Sequence, residues 1–270
     1  MNRIELGTKL TKIAEDSVDE ADGQKTASSM LTLAKELVSF DPPAEMEKTI
    51  TACAKLGREF REGAGAQILA AISETEAKLA EQQEILKSIY KDWEVKSGYR
   101  QMRAELIEQA HKCMAIGDSL TDLSGELTIG RRESEQESYQ QKYNILVSML
   151  NEAELNKYSK ILNAFFRKQR TELDNGLKEL NDYVEKWHES AKAIAEERGV
   201  TLPALRGGKK FAGFVGDIMD TLKTIIPGFI KGVQKWGSDL YNRIVNNGKV
   251  LDVMEAKLGR KIAQARSVLK

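Results

Sequence analysis

From Ala44 onward, apolar residues recur at steps of three and four almost without interruption. Met46, Ile50, Cys53, Leu56 and Phe60 form one stripe, and Ile68, Leu69, Ile72, Leu79, Ile85, Leu86, Ile89, Tyr90 and Trp93 continue it. After Gly98, a candidate break, Met102, Leu106, Ile107, Ala110, Met114 and Ile116 resume the pattern. This is the period that keeps one helical face against a core. Strands need alternation with a period of two, and no stretch of useful length shows it. Only four prolines interrupt 270 residues, so the helices can run long. The chain is expected to be all-α.

Its organisation follows from the breaks. Residues 2–40 read as two short helices, and Asp41-Pro42-Pro43 is a stop and then a helix start. Gly63-Ala64-Gly65 is a soft spot, either a bend or a tight helix contact. The segment 117–132, with Gly117, Gly125 and Gly130, is expected to turn between two long helices of about 44–125 and 133–198. Gly199 suits a C-terminal cap and Pro203 a new start. Three regions result: 1–41, short helices; 42–200, a long helical hairpin; and 201–270, a basic, glycine-rich pair of amphipathic helices. Together they predict an elongated helical bundle with two long antiparallel helices and a kinked amphipathic C-terminal region.

One stretch is unlike the rest. Between Gly207 and Gly248, the residues Phe211, Phe214, Val215, Ile218, Met219, Leu222, Ile226, Phe229, Ile230, Val233 and Trp236 share an apolar face, with Lys209, Lys210, Lys223, Lys231 and Lys235 between them. Pro227-Gly228 is expected to break this stretch after Ile226, leaving amphipathic pieces of about 211–226 and 229–245. Glycines in the interior weaken such helices by about 1 kcal/mol each relative to alanine. They therefore gain most from a surface that selects the apolar face. That surface is a core, a lipid interface or a partner's groove. Charges interrupt the run too often for a spanning helix. Asn246-Asn247-Gly248 reads as a further stop, before a last basic helix over 250–269.

Charge is segregated although the total balances at 41 basic and 41 acidic residues. Residues 1–205 carry about eight excess negative charges and 206–270 about eight excess positive ones. A basic tail on an acidic body suits an anionic surface, or the tail folding back on that body.

Motifs for chemistry are missing. His111 and Cys113 are two apart, which points them to different helical faces. His188 has no cysteine near it in sequence, so no zinc site or triad is assembled locally. Acidic pairs such as Asp16/Glu20, Glu133/Glu137 and Glu196-Glu197 read as solvated faces. Gly207-Gly208-Lys209-Lys210 lacks the frame of a phosphate loop, and no strand precedes it. No catalytic, cofactor or metal residues are assigned, and no enzyme is expected. Cys53 and Cys113 read as two buried thiols rather than a disulfide framework. The N-terminus lacks the apolar core of a signal peptide. That favours cytoplasmic residence, or export without a cleaved signal, in a soluble form able to associate with membrane.

The layout, a long bundle with one apolar segment, resembles that of the α-helical pore-forming toxins of the cytolysin A type. No sequence motif carries this likeness, and the segment here is the more charged. The resemblance implies lipid insertion and oligomeric pores. The expected contact residues are Lys209, Lys210, Phe211, Phe214, Ile218, Leu222, Ile226, Pro227, Phe229, Ile230, Val233 and Trp236. The expected partner is an anionic lipid surface, with self-association into an oligomer. The alternative is a helical scaffold or adaptor that docks a protein through the same segment. The basic tail carries no reading-helix motif, which weighs against nucleic acid.

Overall fold

The computed structural model describes residues 42–132, 137–205 and 208–270, together with Met30. The two short helices expected over 2–40, and Glu133 to Gln136, lie outside the described residues. The side chains at 42–43, 131–140, 208–209 and 217 lie outside them as well.

The described residues are helical, without strands. In chain order the helices are α1 (Pro42–Arg58), a π-helix (Glu59–Gly65), α2 (Ala66–Lys78), α3 (Ala80–Ile89), α4 (Trp93–Lys96) and α5 (Tyr99–Arg132). They continue as α6 (Glu137–Met149), α7 (Glu152–Glu197), α8 (Gly208–Asp217), α9 (Met219–Leu222) and α10 (Ile226–Leu269). The bundle is all-α, and its two long antiparallel helices are α7, with 46 residues, and α10, with 44. At 1.5 Å per residue each runs about 65–70 Å.

Those two helices are not at 44–125 and 133–198. The first of the expected pair is itself a hairpin: 42–89 runs one way and α5 returns against it. The reversal lies at Tyr90–Gly98. Gly98, at φ +81°, supplies a left-handed conformation that other residues adopt at a cost. Trp93 is fully buried in this corner, with Tyr99 at a ring-centroid distance of 5.1 Å.

The turn expected over 117–132 is helix. Gly117 serves proximity instead, because a Cβ there would stand 2.6 Å from the Gly57 carbonyl oxygen. The soft spot at 63–65 is a tight contact inside the π-helix, where a Cβ on Gly65 would lie 2.8 Å from Met114 Cγ. The second expected helix breaks at Asn151. Its side chain caps α7 by accepting from the Glu154 N–H at 2.9 Å.

Gly199, at φ +73°, does close α7. Gly199 N–H donates to Glu196 O at 3.0 Å and Val200 N–H to Ala195 O at 2.9 Å. Pro203 starts no helix; it lies in the non-helical run 201–205. The last break falls at Lys223–Ile225, before rather than after Ile226, with Pro227 in the first turn of α10 where its missing N–H is tolerated. Asn246-Asn247-Gly248 stops nothing, and α10 runs through it.

Four strokes of chain therefore make the body: 42–89, α5, α6–α7 and α10. The helices α5 and α10 lie side by side and parallel, because Lys112 meets Asp252 and Glu126 meets Arg266. The pair α7 and α10 is antiparallel in one steady register. Gly176 faces Leu240, Gln169 faces Asn247, and Glu154 faces Lys261, so opposed residue numbers sum to 415 or 416.

That geometry also separates the cysteines. Both are free and fully buried. With Ser124 bonded to the Ile50 carbonyl and Gly57 against Thr121, Cys53 lies opposite about residue 123, some ten positions from Cys113. Ten residues of helix is about 15 Å, too far for a bridge. Burial pushes each thiol up to about 12.

Candidate interaction segment

The segment singled out by sequence covers the crossover between the two long helices, with α8 and α9, and the first half of α10. The crossover sits at the end of the bundle formed by the Tyr90–Gly98 corner, the last turns of α7 and the start of α10. The helix α8 lies on α3, and α9 on α7.

The apolar face is packed inward. Phe211, Val215, Ile218, Leu222, Phe229, Val233 and Trp236 are buried, while Phe214, Ile226 and Ile230 are half-buried. Lys210 and Pro227 are exposed, and the Lys209 side chain lies outside the described residues. Trp187 organises the contact, with its ring centroid 6.2 Å from Phe211 and 4.9 Å from Phe229. His188 adds a ring contact to Phe211 at 5.0 Å, and its Nε2 lies 3.1 Å from the Pro203 carbonyl oxygen. The Tyr183 hydroxyl donates to the Gly228 and Phe229 carbonyls at 3.0 and 3.3 Å. It lies so close to Gly232 that a Cβ there would be 1.9 Å from the hydroxyl oxygen.

Polar ties run along α10. Near its start Gln234 Nε2 donates to the Tyr90 hydroxyl at 2.9 Å, and from Arg243 on the ties are to both α7 and α5. Arg243 makes a bidentate pair with Glu179 at 2.9 and 2.7 Å, Lys112 reaches Asp252 at 2.9 Å, Lys261 reaches Glu154 at 2.8 Å, and Arg266 reaches Glu126 at 2.9 Å. The basic tail is thus folded back on the acidic body. Exposed pairs of this kind contribute about 0–1 kcal/mol each, so they orient more than they stabilise.

Between them lies a buried amide layer that sequence reading did not single out. Gln169 Nε2 donates to Gln109 Oε1 and, at 3.3 Å, to the Ile244 carbonyl; Asn247 Nδ2 donates to Gln169 Oε1 at 3.2 Å. All three amides are buried. A polar layer in an apolar core resists sliding, because any other register leaves its donors unpaired.

No such tie holds the crossover. Among the described side chains, α8 and α9 make no hydrogen bond or ion pair to another element, and Lys223 pairs only with its neighbour Asp220. Their described side chains make apolar contacts alone to other elements, between the non-helical stretches 201–205 and 223–225. Gly213, Gly216 and Gly228 face open space, unlike Gly232 and Gly237, whose missing side chains admit a neighbour.

Among the described residues no three His, Cys, Asp or Glu side chains gather as a metal-binding group. His111 is exposed and Cys113 buried, on different faces. No described helix is long and apolar enough to cross a membrane. Comparison with protein-family models, curated proteins and solved structures finds no match.

Proposed function

We propose that this is a non-enzymatic, membrane-active helical protein in which α8 and α9 form a detachable apolar head. The observation that supports this reading is the contrast in anchoring. The α10 helix is held by directional polar contacts from its first turn, where Tyr183 bonds the Gly228 and Phe229 carbonyls and Gln234 Nε2 donates to the Tyr90 hydroxyl at 2.9 Å, whereas the described side chains of α8 and α9 make apolar contacts alone to other elements.

Burial of Phe211, Val215, Ile218 and Leu222 is worth about 1.5–3 kcal/mol per side chain. A hydrocarbon interface recovers most of that for the same side chains, while amides drawn out of the buried layer would find no substitute there. The head is therefore the part that a lipid surface can compete for. Lys210 and Lys223 would engage headgroups as Phe211 and Phe214 insert. Self-association in lipid would follow insertion.

The completeness of the packing in this conformation favours the second reading, a helical scaffold that docks a protein partner. Co-flotation with anionic and neutral liposomes, with dye release on the same samples, separates the two. Flotation abolished by Phe214→Ser, with unchanged helicity, supports the head. Flotation that ignores this substitution sinks it, and absence of flotation at low salt with either lipid leaves the scaffold.

A further inference from the structure

Away from the head, α7 and α10 present the same pattern on one outer face. Lys157, Ile161, Ala164 and Lys168 follow each other at steps of four, three and four; so do Asn246, Val250, Val253 and Lys257. Those steps keep each set on one stripe. The two stripes border a groove of about 330 Å³ lined by Ile161, Ala164, Phe165, Lys168, Asn246, Asn247 and Val250. Ile161 is 40% exposed, Val250 37% and Val253 51%, three of the six large apolar side chains exposed among the described residues.

The rim of this groove is basic without compensation. In the antiparallel register Lys157 lies across from Lys257, like charge beside like charge. Lys160, Lys249 and Arg260 flank the stripes. None of these six cations makes an ion pair; Lys249 bonds only the Asn246 side chain, and Arg260 only the Ala256 carbonyl. The nearby carboxylates are taken or turned away: Glu154 by Lys261, Asp252 by Lys112, and Glu255 on the opposite side of α10.

We infer that this face is a docking surface for anionic lipid headgroups. Six uncompensated cations around exposed aliphatic side chains match an interface that is negative at the headgroups and apolar just beneath. Lysine stems cover apolar surface while their ammonium groups reach phosphate. A nucleic acid would use the charges but leave the aliphatic floor unexplained. The surface is separate from the head, and rests on the membrane reading only in sharing its target.

The test is flotation of the full chain on phosphatidylcholine vesicles with and without phosphatidylglycerol. Lys168→Glu/Lys257→Glu should weaken binding to the anionic vesicles by on the order of tenfold or more, since each basic residue near such a surface is worth roughly fivefold. Val253→Ser should weaken it as well, with helicity unchanged in both variants. Binding equal to wild type in the double variant would overturn the inference. So would displacement by duplex DNA together with indifference to Val253→Ser. Anionic flotation that depends on Lys168 and Lys257 but not on Phe214, without dye release, would retire the head and keep this face.

Discussion

Trp236 Nε1–H donates to the carbonyl oxygen of Gly176 at 2.7 Å, from one long helix to the middle of the other. The approach is allowed because Gly176 has no side chain. A Cβ there would stand 2.6 Å from Leu240 Cδ2, one turn along α10. Tyr99 stacks against the indole, with ring centroids 6.4 Å apart, and brings the hairpin corner to the same point.

Gly176→Ala should therefore destabilise the protein, although alanine favours helix by about 1 kcal/mol. Overpacking costs about 1–3 kcal/mol, so urea denaturation should show a net loss. Gly213→Ala is the counterpart. Gly213 is exposed and nothing lies within 4 Å of its absent Cβ, so a gain of up to about 1 kcal/mol is expected. A loss at both positions would refute the division of these glycines into contact and open positions.

Gln169→Leu should cost about 2 kcal/mol or more, because it strands buried polar atoms of Gln109 and Asn247. A measured cost below about 0.5 kcal/mol would mean that the amide layer is not closed in solution.

Pro227→Ala should barely change stability, by less than about 0.5 kcal/mol, since proline at the first turn of a helix displaces no hydrogen bond. Far-UV circular dichroism should gain no more than a few residues of helix. A large gain would show that proline, rather than the packing of Leu222 and Phe229 on either side, makes the break.

Cys53 and Cys113 should resist thiol reagents at pH 8 in the folded protein and react once it is unfolded. Their thiols are raised from 9.0 to about 12 by burial. A raised value means that this contribution to stability is complete below pH 9 and is lost as pH climbs from there towards 12. Urea midpoints should fall across that window in wild type and less in a Cys53→Ala/Cys113→Ala variant. Equal alkaline losses would assign the effect to other groups, such as Tyr99, which burial also raises to about 12.

Much of this architecture was legible in the sequence. Periodicity alone requires an all-α chain and marks which faces are buried, because a helix with one apolar stripe has few other ways to hide it. Pro42 and Gly199 declared their boundaries through fixed or left-handed φ. Asn151 with Glu154 three residues on was a readable cap that the unbroken apolar stripe concealed. The basic, uncompensated stripes on α7 and α10 could also have been read by charge counting along each face.

Tertiary structure decided the rest. Gly117 and Asn246-Asn247-Gly248 look like stops because glycine and asparagine are poor helix formers in isolation. In the fold Gly117 admits the Gly57 backbone, Asn247 completes an amide layer, and a Cβ on Gly248 would meet Gln109 Nε2 at 2.3 Å. Packing repays a local propensity of about 1 kcal/mol. The location of the reversal at Tyr90–Gly98, and the fact that Phe211 and Phe229 meet Trp187 in this conformation, depend on residues distant in the chain. Local sequence fixes which face of a helix is apolar; only the assembled bundle decides what covers it.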